Sequence, residues 1–458
     1  MVATLQAVAD TYGKRQGLGR RGFLSSAAGM AAAFVAMNEV FGPVFKVSSA
    51  DLFDVWGGPV GMLAGAEYRE ESFKDDRDDR LDGTITFTDW EGDTYPFVSD
   101  VVNSSPTPDS SGDRSVTSLF AELAVPLFST LDLQFALLYV NFSDVGSTTV
   151  PKIAFGWRPT EWFLLRGSWS EAFRAPNLVT VNESLVVRNN TRTDYLCQYA
   201  ADFGGDPDQD VLDCRNTIQR RAFGSKDLKP EKSDNYSIGT VLTPIPNLTM
   251  TIDFWKIEKK DTIGLFGEEN HTLYDLLLRL EGGPSDCTGN TAVGRDPVDE
   301  EYIPYYEAVG LCPAGDMDFV NDQYANLDTR IVQGIDFGLY YDVSTGWGDW
   351  SFNWLGSIYT VYDQEPGGRA QELLRAQEDG IIPSNYPVTG FADILRQDGN
   401  QEQKMNARLN WRKNDWGASL SWLYLSDFIQ TSLERNDGTQ WVIPSHSTFN
   451  ASVDYRFD

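Results

Sequence analysis

The chain is poor in histidine, in basic residues and in long apolar runs. His271 and His446 are its only imidazoles, so hydrolytic chemistry built on paired histidine ligands has nothing to hold its metal. Beyond residue 50 there is also no G-x-S-x-G elbow, no H-E-x-x-H, no Walker A loop and no G-x-G-x-x-G fingerprint, and these absences argue against an enzyme and against a bound cofactor. Lys and Arg number 37 against 67 Asp and Glu, a formal charge of −30. Such a chain repels phosphate backbones and offers no basic stripe, which excludes nucleic acid as a partner. No stretch approaches the ~20 apolar residues of a helical membrane span, although a membrane barrel needs none. Cysteine is scarce too, at four. Cys197 and Cys214 fall in one strand-free segment, Cys287 and Cys312 in another, and C-x-x-C spacing for zinc is missing. Two local disulfides, Cys197 with Cys214 and Cys287 with Cys312, are expected, because an exported loop without its own core gains most from a covalent staple.

What the chain has in quantity is aromatic residues (13%) and glycine (40), at a mean hydropathy of −0.33. This composition suits strands with one apolar and one polar face. Period-two alternation bears that out along the sequence: Met405, Ala407, Leu409 and Trp411 alternate with Asn406, Arg408, Asn410 and Arg412, which sends successive side chains to opposite faces of a sheet. Strands are expected at 60–73, 116–126, 131–142, 149–158, 162–172, 233–243, 248–258, 326–342, 349–361, 403–412, 416–426 and 446–457. Short turns at Pro126–Thr130, Pro159–Glu161, Pro244–Asn247, Val343–Gly348 and Lys413–Asp415 alternate with longer links. A soluble sandwich shares the alternation, but not this asymmetry of turns and long loops, which belongs to transmembrane barrels. Aromatic pairs near strand ends, such as Trp411 with Trp416 and Trp422 with Tyr424, suit the two membrane interfaces. The long loops 74–115, 173–232, 259–325 and 362–402 are expected on one side of the membrane and both chain ends on the other.

Within those loops, 271–280 and 369–377 have helical spacing. Acidic runs such as 75–83 and 206–210 read as solvated loops. An EF-hand counted from Asp206 would need Gly where Val211 stands and Glu where Thr217 stands, so that motif is excluded and an irregular calcium site stays open.

Residues 1–50 differ from the rest. Arg20-Arg21-Gly22-Phe23-Leu24 leads into a short apolar run and resembles a twin-arginine leader, and the segment through Val44-Phe45-Lys46-Val47 also resembles leaders of exported amidohydrolase-like enzymes. A twin-arginine route carries folded cargo whereas an outer-membrane barrel crosses the periplasm unfolded. This leader is therefore expected to be foreign to the barrel, with domains at 1–50 and 51–458, and a fused reading frame is an alternative.

Ser170-Glu171-Ala172-Phe173-Arg174-Ala175-Pro176-Asn177-Leu178, followed after a long polar loop by Leu228-Lys229-Pro230-Glu231-Lys232-Ser233, resembles the late barrel strands of TonB-dependent outer-membrane receptors. Gly58–Glu71, Ala121–Leu127, Val150–Pro159 and Gln333–Phe337 resemble further phrases of that family, in its order. The resemblance implies an all-β fold: a partial antiparallel transmembrane barrel of about twelve strands with long extracellular loops, in the bacterial outer membrane. It also implies outer-membrane lipid as a partner and energy-coupled uptake of a small nutrient, whether metal chelate, vitamin, oligosaccharide or peptide. Plug, early strands and closing strands are expected to be missing, so the TonB complex would be a partner only if a plug is supplied. The alternative is a passive or non-functional porin-like barrel fragment from a truncated or fused gene. The family phrase singles out Phe173, Arg174, Pro176, Asn177, Leu228, Pro230 and Glu231. Proline lacks an N–H, so Pro176 should close one strand and Pro230 precede the next, bringing Arg174 and Glu231 together as an ion pair at the rim.

Overall fold

The computed structural model describes residues 44–457 apart from 103, 207–210, 286, 328 and 436. Thirteen strands follow one another in a continuous antiparallel order: β1 (Val44–Ser49), β2 (Gly61–Asp75), β3 (Ser110–Phe128), β4 (Leu131–Phe142), β5 (Gly146–Thr160), β6 (Phe163–Arg174), β7 (Glu231–Ile245), β8 (Leu248–Lys260), β9 (Arg330–Thr345), β10 (Gly348–Gln364), β11 (Gln403–Lys413), β12 (Trp416–Leu425) and β13 (His446–Tyr455). A short strand, Ala392–Asp393, adds to the end of β10. No helix among the described residues is long and apolar enough to cross a membrane, which says nothing of a barrel.

Every one of the twelve expected strands is present, and β1 is an addition. It pairs Val44 with Glu67 through Ser49 with Met62, so the last residues of the leader-like stretch belong to the sheet; residues 1–43 lie outside the described residues. Thirteen is odd. β1 and β13 therefore both run toward the turn side, while the expected placement of the chain's first end falls on residues outside the described ones. The alternation of turns and long links has one exception as well, because only Ser143–Val145 separates β4 from β5.

Register assigns the two faces. Cross-strand partners link Glu67, Glu122, Lys152, Arg166, Asp253, Asp336, Lys404 and Arg408 on one face. On the other lie Leu119, Leu137, Ile153, Ile238, Ile252, Phe254, Leu420 and Phe449, all large, apolar and exposed. A sheet with a charged inside and an oily outside places its core in the bilayer, not in itself. At the turn end the oily face carries Trp157, Trp350, Trp411, Trp416 and Tyr455, with Trp350–Trp411 centroids at 6.2 Å and Trp416–Tyr455 at 4.9 Å, as an interfacial girdle requires. On the wet face the Arg166 guanidinium grips Asp253 through two hydrogen bonds of 2.8 and 2.7 Å. Gly239 opposite leaves the room for this, since a Cβ there would stand 2.0 Å from Asp253 Oδ1.

The two faces predict opposite responses to charge. Ile252→Arg, half-exposed on the oily side, is expected to cost the folded barrel about 2–4 kcal/mol, whereas Asn450→Arg on the wet side should be nearly neutral. Reversible urea unfolding in lipid vesicles checks both, and equal costs would refute the face assignment.

Candidate functional site: a loop cap and the rim beneath it

Three long links, between β6 and β7, β8 and β9, and β10 and β11, fold together over the rim. They contribute α1 (Leu178–Asn182), α2 (Tyr195–Phe203), α3 (Glu268–Gly282), α4 (Ile303–Ala308) and α5 (Gly368–Glu378). The helical spacings at 271–280 and 369–377 become α3 and α5. α2 also had a legible signal, Asp194 ahead of apolar positions at helical spacing: its carboxylate accepts from Leu196 N at 3.1 Å and caps the helix. A four-stranded sheet completes the cap, formed by Val186–Thr193, Arg215–Phe223, Met317–Gln323 and Val293–Arg295.

These loops were expected to lack a core of their own, and they have one. Leu196, Ala200, Leu273, Leu276, Leu373, Ile382 and Tyr386 are buried together in a single cluster drawn from all three links. Cys197 is bonded to Cys214 and Cys287 to Cys312, with Cα separations of 5.4 and 5.2 Å, and both bonds staple this cap. Asp206 turns its carboxylate to Val211 N and Leu212 N, so it shapes its own loop. The irregular calcium site finds no further support there.

Under the apolar cluster runs a buried charge network that no motif announced. Arg295 donates to both carboxylate oxygens of Asp194, one at 2.8 Å, and to Asp275 Oδ2 at 2.9 and 3.2 Å. Asp275 also accepts from Asn290 N at 2.6 Å and Arg279 Nε at 3.3 Å. Gly289, at φ +55°, allows that approach, as a Cβ would lie 2.1 Å from Asp275 Oδ1. Burial alone would favour a neutral Arg295, but the two carboxylates hold its guanidinium charged more firmly than usual. A second node joins Asp322, fully buried, to Arg220 at 3.1 Å, to His271 at 3.4 Å and to Gly267 N at 3.3 Å.

Burial pushes the Asp322 carboxyl up, yet the His271 contact, Arg220 and the Gly267 N–H outweigh it and leave the group below its ordinary range. A depressed carboxylate contributes stability that is present above its unfolded pKa of about 3.9 and lost as pH falls through the folded value. The cap should therefore loosen below about pH 4, and Asp322→Asn should flatten that limb of the pH dependence. Protease protection of the cap against pH measures it, and an unchanged limb in the variant would assign the acid loss elsewhere.

The family-phrase residues meet at the base of the cap. β6 ends at Arg174 and β7 begins at Glu231, directly opposite in the ladder. Arg174 Nε lies 3.1 Å from Glu231 Oε2, and Lys259 Nζ reaches the same oxygen at 2.8 Å. Glu231 Oε1 accepts from Ile263 N at 2.8 Å. The Glu231 carboxylate is only 2% exposed while the Arg174 side chain is 63% exposed, so a buried anion meets a largely solvated cation and gains its enclosed contacts from Lys259 and the Ile263 N–H. Phe173 packs edge-on against Phe142 at 5.9 Å. The carbonyl of Pro176 accepts from Arg114 Nη1 at 2.7 Å, and Asn177 caps α1 through Thr180 N at 2.6 Å. Leu228 and Pro230 are buried, with Asn326 bonded to both the N–H and the carbonyl of Lys229 between them. Together these residues lock strand ends to cap. Lys259 and Arg330, which share this rim, were not legible as site residues because nothing local in the sequence shows which strand ends coincide.

A family profile described as TonB dependent receptor-like, beta-barrel matches residues 4–458. Among solved structures, the siderophore receptor PirA from Acinetobacter baumannii aligns with 14% identity and a TM-score of 0.53 over 91% of this chain and 48% of its own. The ferric enterobactin receptor PfeA from Pseudomonas aeruginosa, as a mutant in complex with enterobactin, aligns with 15% identity and a TM-score of 0.53 over 91% and 46%. The chain thus spans about half the length of these receptors. No curated protein matches it in sequence.

Proposed function

Given that the chain belongs to the TonB-dependent receptor β-barrel family, a family of bacterial outer-membrane proteins, we propose that it serves as the wall and outer cap of a receptor for energy-coupled uptake of a small metal chelate. The observation that carries this reading is the cap itself. Three links of the sheet fold into one disulfide-stapled unit with its own core, held over a charged inner face. A passive pore has no need of a rigid, cored structure across one mouth, whereas a receptor needs a preformed surface to select its ligand before transport. The siderophore receptors that share the fold make a ferric chelate the first ligand class to test. Coupling to TonB would run through a plug inside the barrel, and no residue of this chain is assigned a catalytic step.

The test is accumulation of radiolabelled ferric enterobactin and of other ferric chelates by cells producing the protein, with and without a functional TonB system. Uptake of any one of them that disappears when coupling is lost supports the receptor. Conductance of the purified protein in a planar bilayer, with uncoupled leakage of small solutes, would instead establish the passive barrel.

A further inference from the structure

We propose that the cavity between the inner rim and the cap is a binding site for a small dicarboxylate, or for a dicarboxylate arm of a larger ligand. Register alone brings its cations together. Arg174 opposes Glu231, Lys259 opposes Arg330, and Arg330 opposes Gln364, so the ends of five successive strands, β6 to β10, present one row on the wet face. Two like charges placed directly opposite in a ladder are unfavourable, and Lys259 and Arg330 are so placed. Among the described residues Glu231 is the only carboxylate in contact with any of the three cations, and it is shared by Arg174 and Lys259. Arg330 has only the neutral Gln364 Oε1, at 2.5 Å, while its Nε is buried without a hydrogen-bond partner. The row therefore carries a surplus of two positive charges, which a dianion would neutralise.

The space beside it is a cavity of about 290 Å³, roofed by Asn270 and the Thr389–Gly390 turn. That is just below the range of about 300–1,000 Å³ for small-molecule sites, so a short diacid or a pendant group fits and a whole ferric chelate does not. The outer surface sharpens the contrast. Residues 261–329 contain no Lys or Arg except Arg279 and Arg295, and both are buried in ion pairs. That link is acidic outside, and the cations Lys259 and Arg330 stand at the rim where it leaves and rejoins the sheet, where a guanidinium can take a carboxylate through paired hydrogen bonds. The assignment deepens the receptor reading and rests on it for the route by which a ligand arrives.

Isothermal titration of the full chain, folded in lipid nanodiscs, with succinate tests it. Binding is expected, with acetate and inorganic phosphate clearly weaker. Arg330→Gln, which leaves the Glu231 contacts in place, should weaken succinate about tenfold or more, as loss of one charge-assisted contact implies. Glu231→Gln should do the opposite and strengthen it, a sign that general damage to the site cannot produce. No succinate binding at millimolar concentration, indifference to Arg330→Gln, weaker binding in Glu231→Gln, or phosphate binding as tight as succinate would each overturn the proposal. The titration needs no energy source, so it can fail while coupled uptake stands, and coupled uptake can fail while it succeeds.

Discussion

Arg295→Met is expected to unfold the cap and leave the strands folded. The side chain is 8% exposed and lies between Asp194 and Asp275, themselves 2% and 1% exposed. A methionine would fill much of the volume but strand two buried carboxylates. Removing one partner of a buried charge cluster typically costs about 3–5 kcal/mol, far more than the net worth of the cluster. The damage should spread, since Asp194 caps α2 and Asp275 anchors Arg279 and the Asn290 backbone. Arg295→Lys keeps the charge without the fork and should fall between wild type and methionine. Limited proteolysis reads the cap, and the heat-modified shift of the barrel on gels reads the strands. A variant whose loops stay protease-resistant would show that the network is dispensable.

Loss of the two disulfides is expected to have an effect of similar size by a different route. Each cross-link closes a short loop, with sequence separations of 17 and 25, and by loop-closure entropy each removes about 3 kcal/mol of chain freedom from the unfolded cap. Cys197 and Cys214 also lie within the apolar cluster, so Cys→Ala leaves a packed and compatible residue there. The quadruple alanine variant should lose most cap protection at 37 °C, and mild reduction of the wild type should reproduce it. Protection that survives reduction would mean that the apolar core alone suffices. The pairing is local, and so each disulfide closes within its own link.

Ligand recognition depends on the same rigidity. The cations of the rim cavity sit on strands, but its roof comes from α3 and the loop after α5. Asn270 ties the two roof elements to each other, accepting from Thr389 N and donating to Thr389 O, both at 2.9 Å. Any variant that melts the cap should open the cavity without touching a rim cation. Reduced succinate affinity in Arg295→Met, with the strands intact, is the expected consequence.

The strands could be read from the sequence because their determinants are local. Alternation at Met405–Arg412, proline at 176 and 230, and the turn at Lys413–Asp415 each act within a few residues, and a membrane barrel has only nearest-neighbour pairing to satisfy. The disulfide partners and the α3 and α5 spacings were legible for the same reason. β1 was not, because the charged and apolar run before it matched a leader more closely than a strand. The cap core and its charges were hidden for a different reason. Asp275 and Arg295 share the link between β8 and β9 but stand 20 residues apart, and Asp194 comes from the link between β6 and β7, so no local motif joins the three and they meet only when the links pack together. Lys259 and Arg330 become neighbours through register across β8 and β9. Local chemistry, then, determined the strands and their turns, whereas register and the packing of distant loops decided which strand ends meet at the rim, which charges are buried and which cations are left facing a cavity.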